Sequence, residues 1–181
     1  SAAPVYATSN LIIYNDNETL IKANWAQQGS LAEVNTGAFE GKEHYRFNYN
    51  FSNWWAGYGL NLTNWGGDGS GYDFTKYGSL KLACRVTGPV SLSIALIDAD
   101  GDNATENIEL PDVSSTYKEF TIPLSSFAGM ALDDVGEIMI NINGEGASGL
   151  GLFEIDNIRL IPFGNSIGEY AASNILKLIN F

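Results

Sequence analysis

The segment from His44 to Phe51 reads HYRFNYNF, and it decides the fold class. Aromatic residues occupy every second position, at Tyr45, Phe47, Tyr49 and Phe51. A period of two is typical of a β-strand that buries one face and leaves the other open. We therefore predict a strand here, with its aromatic side chains in the core.

Further alternating or apolar runs follow at short intervals on both sides of this strand, separated by turn residues. We predict strands within 11–14, 31–34, 58–62, 80–86, 90–96, 117–122, 138–142 and 153–161. Segments 25–29 and 66–71 are predicted to be loops, the second because it is rich in glycine. Many short strands without a strong central helix predict an all-β fold, an antiparallel β-sandwich of the jelly-roll type.

The chain of 181 residues is long enough for one domain with a full core. We predict a linker over residues 1–10, the sandwich over 11–162 and a tail over 163–181. Apolar residues of the tail recur at helical spacing, which predicts a short amphipathic helix. These residues are Ile167, Ala171, Ile175 and Leu178.

Charge and cysteine content exclude several classes of function. Nine basic and 21 acidic residues give a net charge of −12, which disfavours nucleic acid as a partner. No apolar run is long enough for a membrane span, and the first residues lack the pattern of a signal peptide, as in an exported protein after processing. Cys84 is the single cysteine and is in phase with apolar neighbours, so we expect it to be buried.

Tryptophan clusters beside the first strand. Trp54, Trp55 and Trp65 fall within twelve positions, and the first two lie in a predicted connection. Connections usually run over the surface, and an exposed indole beside amide side chains suits the apolar face and polar edge of a sugar ring. The alternative is that these indoles cap the ends of the core.

Three segments together resemble the β-jelly-roll carbohydrate-binding modules, most closely those of family 11 and related modules of bacterial glycan-binding proteins. They are Tyr72–Leu82, Tyr117–Phe127 and Phe153–Ile161. The resemblance spans about residues 11–161. It implies a jelly roll whose concave face grips one β-glucan chain, a structural calcium ion and no catalysis. It also implies a secreted or cell-surface bacterial protein, tethered to a catalytic or surface-anchored polypeptide.

The resemblance places calcium ligands at Asp16, at the backbone carbonyl of Lys42 and at Asp156. The local sequence supports this assignment for Asp156, because Asp156 is in phase with Ile158 and Leu160 and should point inward. A buried carboxylate needs a partner, and a hard cation with oxygen ligands is one. The alternative is an aspartate held by hydrogen bonds alone.

The same resemblance places the aromatic platform for sugar rings at Trp54, Trp55 and Tyr58, and we add Trp65. Hydrogen bonds to sugar hydroxyls are expected from polar residues of a loop and of one strand. These are Asp98, Asp100, Asn141 and Asn143. Gln27 and Gln28 stand where the family carries an aromatic residue in its first loop.

Other interpretations compete with sugar binding. The carboxylates at Asp98, Asp100, Asp102 and Glu109 have EF-hand spacing, but their flanks are predicted strands. Catalytic arrangements are scarce, since the single histidine, His44, is predicted to be an exposed strand residue. A small glycan-active enzyme, such as a glucanase or lyase, and a calcium-stabilised adhesion or spacer domain are the alternative functions.

Overall fold

The computed structural model of the chain describes residues 5–144 and 149–164. Within these ranges it contains eleven β-strands, which we number in chain order. They are β1 (Leu11–Tyr14), β2 (Ala23–Gln27), β3 (Gly29–Val34), β4 (His44–Phe51), β5 (Trp55–Asn61), β6 (Tyr77–Val86), β7 (Val90–Asp98), β8 (Ile108–Glu109), β9 (Lys118–Pro123), β10 (Val135–Gly144) and β11 (Gly149–Pro162). Short 3₁₀ turns lie at Phe74–Lys76 and Leu124–Ser126.

The strands form two sheets. Sheet A has the order β3-β4-β11-β6-β9, with β1 also paired to β11, and sheet B has the order β2-β5-β10-β7-β8. Every pair in this part of the chain is antiparallel. This architecture confirms the predicted all-β sandwich.

The core lies between the two sheets and is built on the aromatic face of β4. Phe47, Tyr49 and Phe51 are almost fully buried, as the alternation predicts. The Phe47 ring meets the Tyr58 ring of sheet B at a centroid distance of 5.1 Å. Cys84 is also buried on this inner face, as predicted.

One predicted loop is a strand. The segment 25–29 was expected to be irregular, but Ala23–Gln27 is the edge strand β2 of sheet B. Gln28 then has a left-handed backbone (φ 58°), and the chain continues as β3 in sheet A. A single residue therefore connects the two sheets. The polar residues of this segment had predicted a loop instead. The predicted helix after residue 166 lies outside the described residues.

The outer face of sheet A carries a buried ion-pair network, and His44 belongs to it. The prediction of an exposed His44 is wrong, because its side chain is fully buried and its Nε2 lies 2.9 Å from Glu154 Oε1. Arg46 Nη2 lies 2.6 Å from the same oxygen, and Arg85 pairs with the other one. The Arg85 guanidinium also lies 4.5 Å above the ring of Tyr117. Cross-strand charges of opposite sign satisfy one another on this face.

Helices are nearly absent from the described chain. Within residues 5–144 and 149–164, no helix has the length and apolarity needed to cross a bilayer.

Candidate functional site

The candidate site is the outer face of sheet B, which turns away from the core. Small residues form its floor in the middle strands. Gly57 and Gly59 of β5 pair with Asn141 and Met139 of β10, and β7 continues the rows with Ser93 and Ala95. The flat centre leaves room for larger side chains that reach across from neighbouring strands.

The Trp55 indole fills part of this space. A Cβ atom at Gly57 would lie 2.5 Å from Cζ2 of Trp55, so the ring lies over this glycine. Trp55 Nε1 donates to Asn141 Oδ1 at 2.9 Å. Asn141 Nδ2 in turn donates to Asn107 Oδ1 at 2.9 Å. The amide chain fixes the indole on the sheet, and an alanine at position 57 would displace it.

The Trp25 indole is held in the same way one strand further out. Trp25 pairs with Gly59, and a Cβ atom on this glycine would collide with the indole nitrogen. Trp25 Nε1 donates to Glu137 Oε1 at 2.7 Å, so the ring reaches across β5 to β10. Both half-buried indoles thus lie over glycines with their N–H groups bonded to β10.

Trp65 stands beside this pair on the turn after β5. Asn61 Oδ1 accepts hydrogen bonds from the backbone N–H groups of Thr63 at 3.1 Å and Trp65 at 2.9 Å. The Trp65 backbone is left-handed (φ 58°), which is uncommon for a bulky residue. The Trp65 side chain is 55% exposed. The turn therefore holds an indole open to solvent.

A surface pocket of about 250 Å³ lies where this turn meets the sheet. We call it the end pocket, and its lining includes Trp25, Trp65, Asp98, Asp100 and Glu137. Glu137 is only 4% exposed. The structure thus brings the predicted residues Trp65, Asp98 and Asp100 together, beside two residues that were not predicted.

Asp98 also closes its own turn. Its carboxylate accepts the backbone N–H groups of Asp102 and Asn103 and the side-chain amide of Asn103. Burial raises the pKa of Asp98, but these hydrogen bonds outweigh it and the pKa lies below its usual value. The EF-hand-like spacing therefore corresponds to a hairpin end whose first carboxylate bonds to amides.

The remaining predicted contacts lie at different depths. Asn141 is 6% exposed and bonded on both sides of its amide, so it positions Trp55. Asn143 is exposed and pairs with Trp55 across the strands. Trp54 lies in the connection before β5, 56% exposed and with a left-handed backbone (φ 64°). A sugar contact at any of these residues stays a prediction.

Tyr58 does not belong to the site. Its side chain is fully buried on the inner face of β5, with its ring 5.1 Å from Phe47 and 5.7 Å from Phe153 between centroids. Along β5, Tyr58 is in phase with Leu60, which is also fully buried. The family resemblance pointed to the surface, and for this residue it is wrong.

Trp25 and Glu137 are the residues that sequence reasoning missed. Trp25 was assigned to a loop, because the alternation of apolar and polar residues over 23–25 breaks at Ala26 and polar residues follow. Glu137 lies two residues before Met139 on the same side of β10, so a longer reading of that alternation would have found it.

The strands of sheet B contain no lysine or arginine, whereas β4, β6, β9 and β11 of sheet A all do. The site therefore combines indoles, amides and carboxylates without a basic residue on its strands. Such a surface suits uncharged or cationic ligands and disfavours polyanions.

The predicted calcium ligands lie together at the other sheet. Asp16, Glu40 and Asp156 line one surface pocket of about 570 Å³. Asp16 accepts the backbone N–H groups of Lys42 at 2.5 Å and Glu43 at 2.9 Å. Asp156 Oδ2 accepts those of Phe39 and Glu40, and Oδ1 that of Asn157.

The direction of Asp156 differs from the prediction. A bulge at Asn157 (φ 51°) shifts the phase of β11, so Asp156 faces outward opposite Ala83 and is buried by the loop before β4. Burial raises its pKa. Among the described residues, no three His, Cys, Asp or Glu side chains are placed to hold a metal ion. Carboxylate oxygens suit Ca²⁺, here those of Asp16 and Asp156 accept backbone N–H groups, and calcium binding at these residues stays a prediction.

Comparisons with known proteins define the fold. No protein-family model matches the chain, and no curated protein matches its sequence. Solved structures do match. The family 11 carbohydrate-binding module from Clostridium thermocellum, in complex with a β-1,3-1,4-mixed-linked tetrasaccharide, has a TM-score of 0.61 and 17% identity, covering 86% of this chain and 97% of its own.

Modules of two other families match over a similar length. The family 30 module of a cellulosomal cellulase of Clostridium thermocellum has a TM-score of 0.63 and 14% identity, covering 86% of this chain and 98% of its own. A family 29 module has a TM-score of 0.55 and 14% identity, covering 84% and 91%. The chain therefore has the β-jelly-roll fold of carbohydrate-binding modules, as the sequence resemblance predicts.

Proposed function

We propose that the protein binds a polysaccharide, without catalysis, on the outer face of sheet B. The observation that carries the proposal is the pair of indoles, Trp25 and Trp55, laid over glycines and fixed by hydrogen bonds to β10. Fixed, partly exposed rings stack on sugar faces without losing rotamer freedom on binding. A fold shared with carbohydrate-binding modules supports the same proposal.

The primary ligand class that we propose is a β-glucan. The absence of lysine and arginine from the strands of sheet B disfavours uronate or sulfated polymers. The family 11 module, whose fold the chain shares, was solved with a mixed-linked β-glucan tetrasaccharide. Asn143 and Asp100 lie at opposite ends of the face and supply polar atoms for hydroxyl groups.

The affinity follows from the small number of stacks. An aromatic stack contributes about 1 kcal/mol beyond area burial. Two or three stacks with several hydrogen bonds lead to dissociation constants of about micromolar to millimolar. Such affinities suit a module that holds a larger polypeptide on its substrate, and we propose a secreted or cell-surface location with a tethered catalytic or anchoring partner.

Native affinity electrophoresis tests the proposal. Gels containing mixed-linked β-glucan, xyloglucan, xylan, mannan or a polyuronate are run with the wild type and with Trp55→Ala. We expect retardation on at least one neutral β-glucan, loss of that retardation in Trp55→Ala, and no retardation on the polyuronate.

Phe39→Ala is the matched control, because Phe39 is an exposed aromatic residue (41%) that packs on Tyr117 at sheet A. It should migrate like the wild type. Equal migration of the wild type in all gels and in a polymer-free gel would refute the proposal.

A further inference from the structure

The end pocket holds a buried carboxylate that no cation of the described chain neutralises. Glu137 accepts hydrogen bonds from Trp25 Nε1 at 2.7 Å and from Asn61 Nδ2 at 3.2 Å, and both donors are neutral. No Lys, Arg or His in the described ranges lies within ion-pair distance of it. A buried carboxylate without an opposite charge is costly, and a ligand cation would offset that cost.

Glu137 also holds both walls of the pocket. It bonds Trp25 directly, and through Asn61 it reaches the turn of Trp65, since Asn61 Oδ1 accepts the Trp65 backbone N–H. Each carboxylate oxygen can accept a further hydrogen bond. Asp98 and Asp100 line the same pocket and add negative charge.

Indole walls and a carboxylate floor suit one kind of ligand group. Cations are attracted to the face of tryptophan, and the attraction is stronger when water is excluded. A primary ammonium group has three donors and fits beside a carboxylate that has acceptor sites left. The pocket volume of about 250 Å³ accommodates a single sugar ring's edge better than a larger group.

We propose that the end pocket is a subsite for a protonated amino sugar, so that the ligands of the outer face of sheet B include β-linked polymers of unacetylated glucosamine. This inference rests on the proposed function. The sugar ring adjoining the pocket carries its ammonium group to Glu137, while its neighbours along the chain stack on the indoles.

Isothermal titration calorimetry of the full chain in 0.15 M salt, where exposed charges are screened, tests the inference. Three β-1,4-linked hexasaccharides differ only at the second carbon of each ring: the glucosamine, the N-acetylglucosamine and the glucose hexamer. We expect the glucosamine hexamer to bind about tenfold more tightly than the other two, the ratio that one ion pair of moderate strength gives.

Glu137→Gln should reduce this preference to about twofold or less. Glu43→Gln is the matched control, because it removes the same charge from an exposed position beside sheet A, away from the binding face, and it should keep the preference. Asp100→Asn leaves the bonds of Glu137 intact and should lower the preference by about threefold. This variant decides the question if Glu137→Gln fails to fold.

Each outcome is distinct. Equal affinity for the three hexamers overturns the amino-sugar subsite but leaves polysaccharide binding intact, whereas binding of none, together with no retardation in the gels, overturns both. Equal loss in Glu137→Gln and Glu43→Gln identifies general attraction by a protein of net charge −12 and overturns the subsite. Hexalysine binding that depends on Glu137 as strongly as the sugar does would overturn the assignment to a sugar.

Discussion

Each sheet buries one glutamate on its outer face, and the two glutamates are compensated in opposite ways. Glu154 of sheet A is 3% exposed and contacts His44, Arg46 and Arg85. Glu137 of sheet B is 4% exposed, and within the described ranges its carboxylate accepts hydrogen bonds only from an indole N–H and an amide. The first face satisfies its own charges, and the second leaves charge and apolar rings for a partner. The comparison supports the proposal that sheet A stabilises the fold and that the outer face of sheet B binds the ligand.

The largest expected difference concerns stability. Glu154→Gln should lower the free energy of unfolding by about 3 kcal/mol, because it leaves two arginines beside a buried site without their carboxylate. Glu137→Gln should cost only about 1 kcal/mol, since it weakens two hydrogen bonds from neutral donors but also removes a buried charge that has no counter-ion. Urea denaturation measures both values. A larger loss in Glu137→Gln than in Glu154→Gln would invert the assignment of the two faces.

The stability of the protein in acid should depend on the same ion-pair network around Glu154. Burial raises the pKa of Glu154, but hydrogen bonds from Arg85, His44 and Arg46 outweigh it and lower the pKa from 4.5 to about 2. A carboxylate with a lowered pKa stabilises the folded state above its unfolded pKa, and this stability is lost as the pH falls from about 4.5 to about 2. The loss is on the order of 3 kcal/mol.

Asp156 acts in the opposite direction, because burial raises its pKa. Denaturation midpoints recorded across this pH range should fall for the wild type and change less for Glu154→Gln. Parallel curves for the two proteins would show that the Glu154 network does not control acid stability.

How far the sequence predicts these faces depends on where the partners of a residue lie. Alternation along one strand predicts which side chains enter the core, as for Phe47 and Tyr49, because a period of two can be recognised without knowing the neighbouring strands. His44 could not be assigned, since Glu154 is 110 positions away and only strand pairing joins them. The side-chain direction of Asp156 was predicted wrongly, because the bulge at Asn157 leaves no signal in the local sequence pattern.

The candidate site was predicted only in part for the same reason. Trp55 and Trp65 could be proposed as site residues from their clustering. The position of the Trp25 indole, however, depends on the glycine opposite it on another strand. The alternation of Glu137 with Met139 places it on the outer face of β10, but the indole and the amide that it bonds lie on other strands. The resemblance to carbohydrate-binding modules predicts the fold, whereas the position of the indoles requires the register of β2, β5 and β10.

A methyl group under an indole should weaken binding more than it weakens the fold. Gly57→Ala places a Cβ 2.5 Å from the Trp55 ring, so the indole must lift from the sheet. We expect the affinity for the β-glucan retained in the gels to fall about tenfold, which is 1.4 kcal/mol, with an unfolding free energy lowered by about 1 kcal/mol.

Gly164→Ala is the matched control for this change, since no heavy atom of the described residues, chain neighbours apart, lies within 4 Å of its added Cβ. Calorimetry compares the two variants. An unchanged affinity in Gly57→Ala would remove Trp55 from the binding surface.

The smallest expected effect concerns calcium at Asp16, the Lys42 carbonyl and Asp156. If the family resemblance holds here, chelation with EDTA lowers the melting temperature by about 3 °C, the shift that corresponds to about 1 kcal/mol in a chain of this size. Asp156→Ala should abolish the response to EDTA, and Glu43→Ala, at a neighbouring exposed residue, should keep it. Identical melting curves with and without EDTA would favour the amide-bonded carboxylates described above.

The most direct test asks which face meets the ligand. In a ¹H–¹⁵N titration with an oligosaccharide of the polymer retained in the gels, the tryptophan Nε1–H and arginine Nε–H signals report both faces at once. We predict that the Trp25 and Trp55 signals shift progressively with ligand while those of Arg46 and Arg85 stay in place. Shifts confined to Arg46 and Arg85, with the two indole signals unmoved, would contradict binding on sheet B.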